Sequence, residues 1–258
     1  MIKYPLPHLN QLAFLPLCFA VIKCSVSEVM GEKLKTNPAQ MIQDWGGKTF
    51  FKRGALVEVR LNGAKFLPGQ LSILSSCEEI TDLSLEQTQL GEEDLTTLAQ
   101  LPKLEWLNLY QTKIGDKGAR ILSKSKSIKL LPLGQSGMTD LGVFHLRKMR
   151  QLIYLGLRAN QITDQSAQYF AQLKNLESLY LGETQISDLT VQQISTLSYL
   201  QKLWLHDSKI TDHSVPYLAK IQSLKELHVY ATGITDEGAF LLKKHLPRCR
   251  IIHEVFPQ

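Results

Sequence analysis

The sequence predicts an α/β solenoid, with a parallel concave β-sheet on one side and short helices on the convex side. Three observations predict it. Similar segments of 24 residues follow one another without a gap from Leu56. Each segment opens with apolar residues at alternate positions, which is the period of a half-buried strand. Apolar residues three apart follow, which fits one face of a short helix. Because one segment cannot bury its own apolar face, the segments are expected to stack into a continuous core.

The repeats span residues 56–247, in eight units that open with Leu56, Ile80, Leu104, Ile128, Leu152, Leu176, Leu200 and Leu224. The fourth and sixth positions of every unit are apolar, so these side chains are expected to point into the core. The fourth position holds Val59, Leu83, Leu107, Leu131, Leu155, Leu179, Leu203 and Leu227. The sixth position holds Leu61, Leu85, Leu109, Leu133, Leu157, Leu181, Leu205 and Val229.

Two polar columns mark the turns of each unit. A hydroxyl residue and an aspartate precede the helical part, as in Thr139-Asp140 and Ser187-Asp188. The hydroxyl is expected to cap the helix, and the acid to interact with the positive end of its dipole. The second column follows the strand and is expected to hydrogen-bond to backbone. It consists of Thr88, Thr112, Ser136, Asn160, Thr184, Ser208 and Thr232.

The template LxxLxLxxTxITDxGxxxLxxL resembles the leucine-rich-repeat family, in a Thr-Asp-Gly variety similar to the ribonuclease-inhibitor-like and cysteine-containing subclasses. The resemblance covers residues 56 to about 252. The first two units differ from the template, because Pro68 and Glu92 replace the aspartate there. The resemblance implies a right-handed curved solenoid, with strands on the concave side and protein binding there.

The ends of the chain are expected to cap the repeats. Residues 28–55 are interpreted as an N-terminal cap, with a helix beginning at Asn37-Pro38 and a strand at 48–52 that pairs antiparallel with 56–61. Residues 248–258 are interpreted as a C-terminal cap, with a strand over 250–255. Pro132 lacks a backbone N–H in a central strand, so a local flaw in the sheet is expected there.

Residues 1–27 contain an apolar run at 12–22 and are interpreted as a signal peptide or an uncleaved apolar leader. The run is too short to span a bilayer comfortably, so no transmembrane span is expected. The signal-peptide interpretation predicts a secreted, cell-surface or periplasmic protein, and the alternative is a cytoplasmic one.

Composition and cysteine spacing exclude several classes of site. The 29 Lys and Arg against 24 Asp and Glu leave a net charge of +5, too modest to predict a nucleic-acid partner. Cys18, Cys24, Cys77 and Cys249 form no metal-binding spacing. Cys77 and Cys249 lie about 30 Å apart in the predicted sheet, too far for a disulfide, and are expected to be small buried apolar residues. No cofactor or metal is expected.

The third, fifth and seventh positions should face outward on the concave side, and there aromatic residues gather. The candidate ligand-binding residues are Trp106, Tyr110, Tyr154 and Arg158 in one group, and Tyr180, Trp204, His206, His228 and Tyr230 in another. Gly134, Gly156 and Gly182 are expected to leave a shallow floor for a partner side chain. The alternative is that the aromatic residues simply cover one another across the sheet.

No nucleophile elbow, phosphate-binding glycine loop or HExxH pattern occurs in the sequence, so a non-enzymatic binding module is predicted. A protein is the expected ligand and a glycan the second choice. The alternative function is an intracellular substrate-recognition adaptor resembling the leucine-rich part of F-box proteins. A set of basic residues falls on the helix side and is interpreted as a solvated surface. It consists of Arg120, Lys124, Lys126, Lys129, Arg147, Lys148 and Arg150.

Overall fold

A computed structural model of the chain describes residues 37–254. The leader at 1–27, Cys18 and Cys24, the first residues of the N-terminal cap and the last of the C-terminal cap lie outside the described residues. Within 37–254, no helix is long and apolar enough to cross a membrane.

One ten-stranded sheet runs through the described residues in sequence order. Its strands are β1 Lys48–Lys52, β2 Ala55–Arg60, β3 Asp82–Ser84, β4 Trp106–Asn108, β5 Leu130–Pro132, β6 Tyr154–Gly156, β7 Ser178–Tyr180, β8 Lys202–Trp204, β9 Glu226–His228 and β10 Arg250–Ile252. β1 pairs antiparallel with β2, and every later pair is parallel. From β2 onward, paired residues are 24 apart in sequence, as the period requires.

Short helices connect the strands and form the convex side. The helices are α1 Pro38–Asp44, α2 Glu92–Gln100, α3 Gly115–Leu122, α4 Asp140–Leu146, α5 Ala167–Phe170, α6 Asp188–Ile194, α7 Val215–Leu218 and α8 Asp236–His245. Tighter 3₁₀ turns occur at Gln70–Ser76, Asp164–Ser166 and Asp212–Ser214. These helices are too short to be stable alone, so packing against the sheet must hold them.

The two leucine columns form the core, as predicted. Every residue at the fourth and sixth positions, from Val59 and Leu61 to Leu227 and Val229, is 0% exposed. Alternation along a strand puts the residues between them on the opposite face of the sheet. The sequence prediction of an α/β solenoid built from these repeats is therefore confirmed.

The Thr-Asp pairs cap the helices and also join neighbouring repeats. The Thr163 hydroxyl accepts a hydrogen bond from the Gln165 N–H, as predicted for a helix cap. The aspartate, however, does more than interact with its own helix: Asp140 accepts hydrogen bonds from the backbone N–H and the hydroxyl of Thr163, in the next repeat, at 2.9 and 2.6 Å. The same ladder continues through Asp164, Asp188 and Asp212. The aspartate column thus fixes the stacking of adjacent repeats.

The other polar column satisfies backbone groups at the strand exits, as predicted. The hydroxyls of Thr88 and Thr184 each donate to the carbonyl three residues earlier at 2.6 Å. Asn160 spans two repeats, since its amide donates to the carbonyls of Leu133 and Leu157. These bonds replace the ladder partners that the backbone loses where each strand ends.

The predicted flaw at Pro132 is present. β4 and β5 share one register pair, Trp106 with Leu130, whereas each of the other parallel pairs in the sheet has three. Proline has no N–H to donate, although the Pro132 carbonyl still accepts from the Leu109 N–H at 2.9 Å. The sheet is continuous at this point but held by fewer backbone bonds.

At the ends of the repeats, α1 begins at Pro38 and β1 pairs with β2, where the sequence predicts a helix and a hairpin, but β10 ends at Ile252 rather than at residue 255. Asn37 accepts a hydrogen bond from the Ala39 N–H at the start of α1, and β1 forms a hairpin with β2. Cys77 and Cys249 are free thiols. Both are half-buried rather than fully buried, because each lies near one end of the repeat array, where fewer neighbours cover it. Burial still raises the pKa of Cys249 to about 11, so its thiol is protonated at neutral pH.

Candidate functional site

An aromatic row crosses the concave face of the sheet; it consists of Tyr154, Tyr180, Trp204 and His228. The last three are register partners at the fifth position of successive repeats. The Tyr180 and Trp204 rings stack at 3.9 Å with 1° between their planes, and Trp204 and His228 stack at 4.4 Å. Tyr154 meets Tyr180 edge-on at 5.0 Å. The rings are half-buried and pack on one another rather than on the leucine core.

Glu226 fixes the end of the aromatic row. Its Oε1 accepts a hydrogen bond from the indole N–H of Trp204 at 2.9 Å and lies 2.8 Å from Nε2 of His228. Burial alone would raise the pKa of Glu226, but the hydrogen bonds from Trp204 and His228 outweigh it and the pKa is lowered. Burial also lowers the pKa of His228, against the opposing effect of Glu226. At neutral pH, Glu226 is therefore ionised and His228 is neutral. The bond to Glu226 holds Trp204 in one orientation.

A second set of side chains lies along the seventh position. Arg158 forms an ion pair with Glu183. The His206 ring stacks on Tyr230 at 4.7 Å with 15° between the planes. His206 is only 3% exposed, and neither ring nitrogen has a hydrogen-bond partner among the described residues. The nearest carboxylate oxygen, Oε1 of Glu183, is 3.9 Å from its Nε2, which is too far for a hydrogen bond.

Burial and charge keep His206 neutral. Burial is the largest cause that lowers its pKa, and Arg158 lowers it further, while Glu183 raises it. A buried polar group without a partner is destabilising, so natural proteins rarely keep one. His206 is the one described side chain with this property.

The glycines between the aromatic residues do not form an open floor, contrary to the sequence interpretation. A Cβ on Gly134 would lie 2.8 Å from the Tyr110 ring, and one on Gly156 would lie 2.6 Å from the Tyr154 hydroxyl. The His206 ring fills the space over Gly182. The chain's own rings thus fill the space that the missing side chains leave.

The structure also changes the predicted grouping. Tyr154 belongs with Tyr180, not with Trp106, because its ring leans over Gly156 toward the next strand. Trp106 makes no ring contact among the described residues and lies apart, at the flaw opposite Leu130. Tyr110 and Tyr230 both lie near enough to Arg158 to raise the pKa of its guanidinium, after the larger effect of Glu183. Tyr110, Arg158 and Tyr230 therefore lie on the same part of the concave face.

Sequence reasoning missed Glu226, Glu183 and a column of glutamines beside them. Gln87, Gln111 and Gln135 are joined side chain to side chain across three repeats. All three have positive φ, near 55°, at the turn after each strand. Their spacing of 24 was visible in the sequence, but nothing in the sequence showed that their amides meet. Glu226 could have been found from its position two residues before His228, on the same face.

The basic residues on the helix side do not form a uniform charged surface. The Arg147 guanidinium lies 3.6 Å from the centre of the Phe144 ring, and Lys129 pairs with Glu105 at 2.6 Å. The lysine pair is exposed, so it contributes little. These contacts fit the interpretation of a solvated surface.

Comparisons with known proteins agree with this architecture. The family described as leucine rich repeat matches residues 150–210. Internalin C2 from Listeria monocytogenes is similar over 84% of this chain and 92% of its own, with 25% identity and a TM-score of 0.65. Internalin F from the same organism is 16% identical, over 84% of this chain and 88% of its own, with a TM-score of 0.46. None of the curated proteins that were compared matches the chain. Residues 150–210 thus match a leucine-rich-repeat model, and the 24-residue period and the solenoid extend that resemblance over the described repeats.

Proposed function

We propose that the chain is a non-enzymatic binding module that holds a protein ligand on the concave face, against the aromatic row and Arg158. The observation that carries the proposal is the fixed, half-exposed Trp204, stacked on both sides and hydrogen-bonded to Glu226. A side chain already held in place loses little conformational entropy on binding, which is typical of the residues that dominate interface energies.

Ring geometry favours a protein over a glycan. Tyr180 covers one face of the Trp204 ring and His228 covers the other. A sugar ring packs its C–H groups against an open aromatic face, and Trp204 offers none. The row presents ring edges, which carry partial positive charge and attract carbonyl oxygens and the faces of other rings. A polypeptide supplies both, so a protein segment is the ligand that suits this surface.

The binding-module function is favoured over the adaptor. The described residues before the first repeat form α1 and β1, which cover the end of the core with Ile42 fully buried. We propose that these elements cap the repeats, which supports the binding-module function. We also propose a secreted, cell-surface or periplasmic location, which depends on the apolar leader in the sequence.

A partner-capture experiment tests the proposed function. Immobilised wild-type chain and its Trp204→Ala variant are exposed to the same secreted and surface proteins, and the proteins that bind wild type alone are identified. Their affinities are then measured by calorimetry. We expect Trp204→Ala to weaken binding about 30-fold or more, because buried aromatic anchors contribute about 2 kcal/mol or more.

Tyr199→Ala is the matched control, since Tyr199 is an aromatic residue that is 61% exposed and outside the row. It should leave affinity unchanged. If both variants bind the partner as wild type does, and both keep their thermal unfolding midpoint, the concave aromatic row is not the binding site.

A further inference from the structure

Three side chains converge where the chain leaves β10 and passes the start of α8: Asp236, His253 and Glu254. Each offers one ligand atom, and the three atoms lie within 4.8 Å of one another. Nδ1 of His253 is 3.6 Å from Oδ1 of Asp236. We propose that these residues bind a divalent transition-metal ion of the zinc class, which fastens the C-terminal segment to the last helix.

Nδ1 is the nitrogen of His253 that is available to a metal ion. Its Nε2 lies 2.8 Å from the carbonyl oxygen of Ile234. A carbonyl only accepts, so Nε2 carries the hydrogen, and in the neutral imidazole Nδ1 keeps its lone pair on the side of Asp236. Metal-binding histidines commonly have this arrangement, in which a bond from one nitrogen to a carbonyl orients the other for the metal. The contact with Ile234 involves no other residue of the cluster, and it orients Nδ1 of the neutral ring toward Asp236.

Distances within the cluster require little movement. Zinc binds nitrogen and oxygen at about 2.0–2.2 Å, so its ligand atoms lie about 3.3 Å apart in a tetrahedral site. The His253 and Asp236 atoms are already at 3.6 Å. Asp236 is 94% exposed and Glu254 is exposed as well, so both carboxylates can rotate inward without displacing a neighbour. His253 is mostly buried and gives the site a rigid member.

One imidazole and two carboxylates form a borderline-hard donor set, which suits zinc and its neighbours better than calcium or magnesium. Asp236 opens α8, and the positive end of the helix dipole acts against a cation there. The dipole weakens cation binding about two- to five-fold, and solvent screens it at the surface. It therefore removes less affinity than one ligand adds. The Asp236, Glu237 and Glu254 charges further offset it.

A metal site at this position would stabilise the C-terminal end of the repeats. The last repeat of a solenoid has no neighbour on its outer side and depends on a cap. The cap strand β10 has only three residues. A metal ion bound by Asp236 of α8 and by His253 and Glu254 after β10 would close a loop of chain and hold the cap against the eighth repeat.

Zinc chloride titrated into the tag-free chain by calorimetry tests the proposal. A Cys249→Ser background removes, as a competing ligand, the described thiol that is nearest to the cluster in sequence. We expect one ion per chain, with affinity at least ten-fold weaker in Asp236→Asn and in His253→Gln. Because Asp236 is 94% exposed, Asp236→Asn is expected to stay folded, and His253→Gln keeps an amide donor for Ile234.

Glu237→Gln and His213→Asn are the matched controls, since each removes a nearby or similar group outside the cluster and should bind as the background does. Zinc should also raise the thermal midpoint of the background chain but not that of Asp236→Asn. The proposal is overturned if the background chain takes up no zinc, or if Asp236→Asn and His253→Gln bind it with unchanged affinity and stoichiometry.

Discussion

Asp164 joins two repeats through four hydrogen bonds. Its removal should lower the free energy of unfolding. Oδ1 accepts from the Ser187 N–H at 2.8 Å, the Thr190 N–H at 3.2 Å and the Thr190 hydroxyl at 2.6 Å, while Oδ2 accepts from the Ser187 hydroxyl at 2.5 Å. Asp164→Ala leaves these donors without a partner. Bonds to a charged acceptor contribute about 1.5–3 kcal/mol each, and water can reach part of the site. We therefore expect a loss of about 3 kcal/mol in the free energy of unfolding.

Urea unfolding followed by circular dichroism measures this loss, with the exposed neighbour Gln165→Ala as control. The pH dependence supplies a second readout. Burial raises the pKa of Asp164, but bonds from Ser187 and Thr190 outweigh burial and lower it. Its contribution is thus complete above the unfolded pKa of about 3.9 and is lost as pH falls through the lower folded pKa. The wild-type advantage should shrink below about pH 4. A loss under about 0.5 kcal/mol at pH 7 would refute the ladder's role.

Further predictions concern the concave face. Gly182→Ala should displace the His206 ring from Tyr230, seen as shifted ring resonances in NMR spectra; unchanged resonances would contradict the packing. Because the folded pKa of His206 is lowered by burial and Arg158, stability should fall as pH drops below about 6.5. His206→Phe should weaken that dependence, and an unaltered pH profile would show that His206 does not titrate as described. Pro132→Val should add a backbone donor to β5 and raise the unfolding midpoint; a lowered midpoint would contradict the account of the flaw.

Periodicity predicted the fold because strand and helix impose fixed spacings on apolar residues. Leu179 and Leu181 differ by two positions, so they had to share a face, and the structure buries both completely. The same argument put Tyr180 on the opposite face, where it lies. Pro132 was predictable for an equally local reason, since proline lacks a donor in any strand.

The contacts on the concave face were not predictable, because they depend on side-chain rotamers chosen across strands. Gly156 and Gly182 suggested open space, but Tyr154 and His206 rotate over them, and burial of the ring surface favours that choice. The sequence put Glu226 on the outward face and gave no sign that it bonds to Trp204. Interactions between repeats, such as the aspartate ladder, likewise depend on a register that only stacking sets.

The central claim is that a protein ligand is held against the outward ring of Trp204. A chain with Trp45→Phe and Trp106→Phe has Trp204 as its sole tryptophan, so its fluorescence reports on that ring alone. Quenching by acrylamide, measured with and without saturating partner, tests the claim most directly. The account predicts that the partner shields Trp204 and reduces quenching. Equal quenching in the free and bound chain would contradict it.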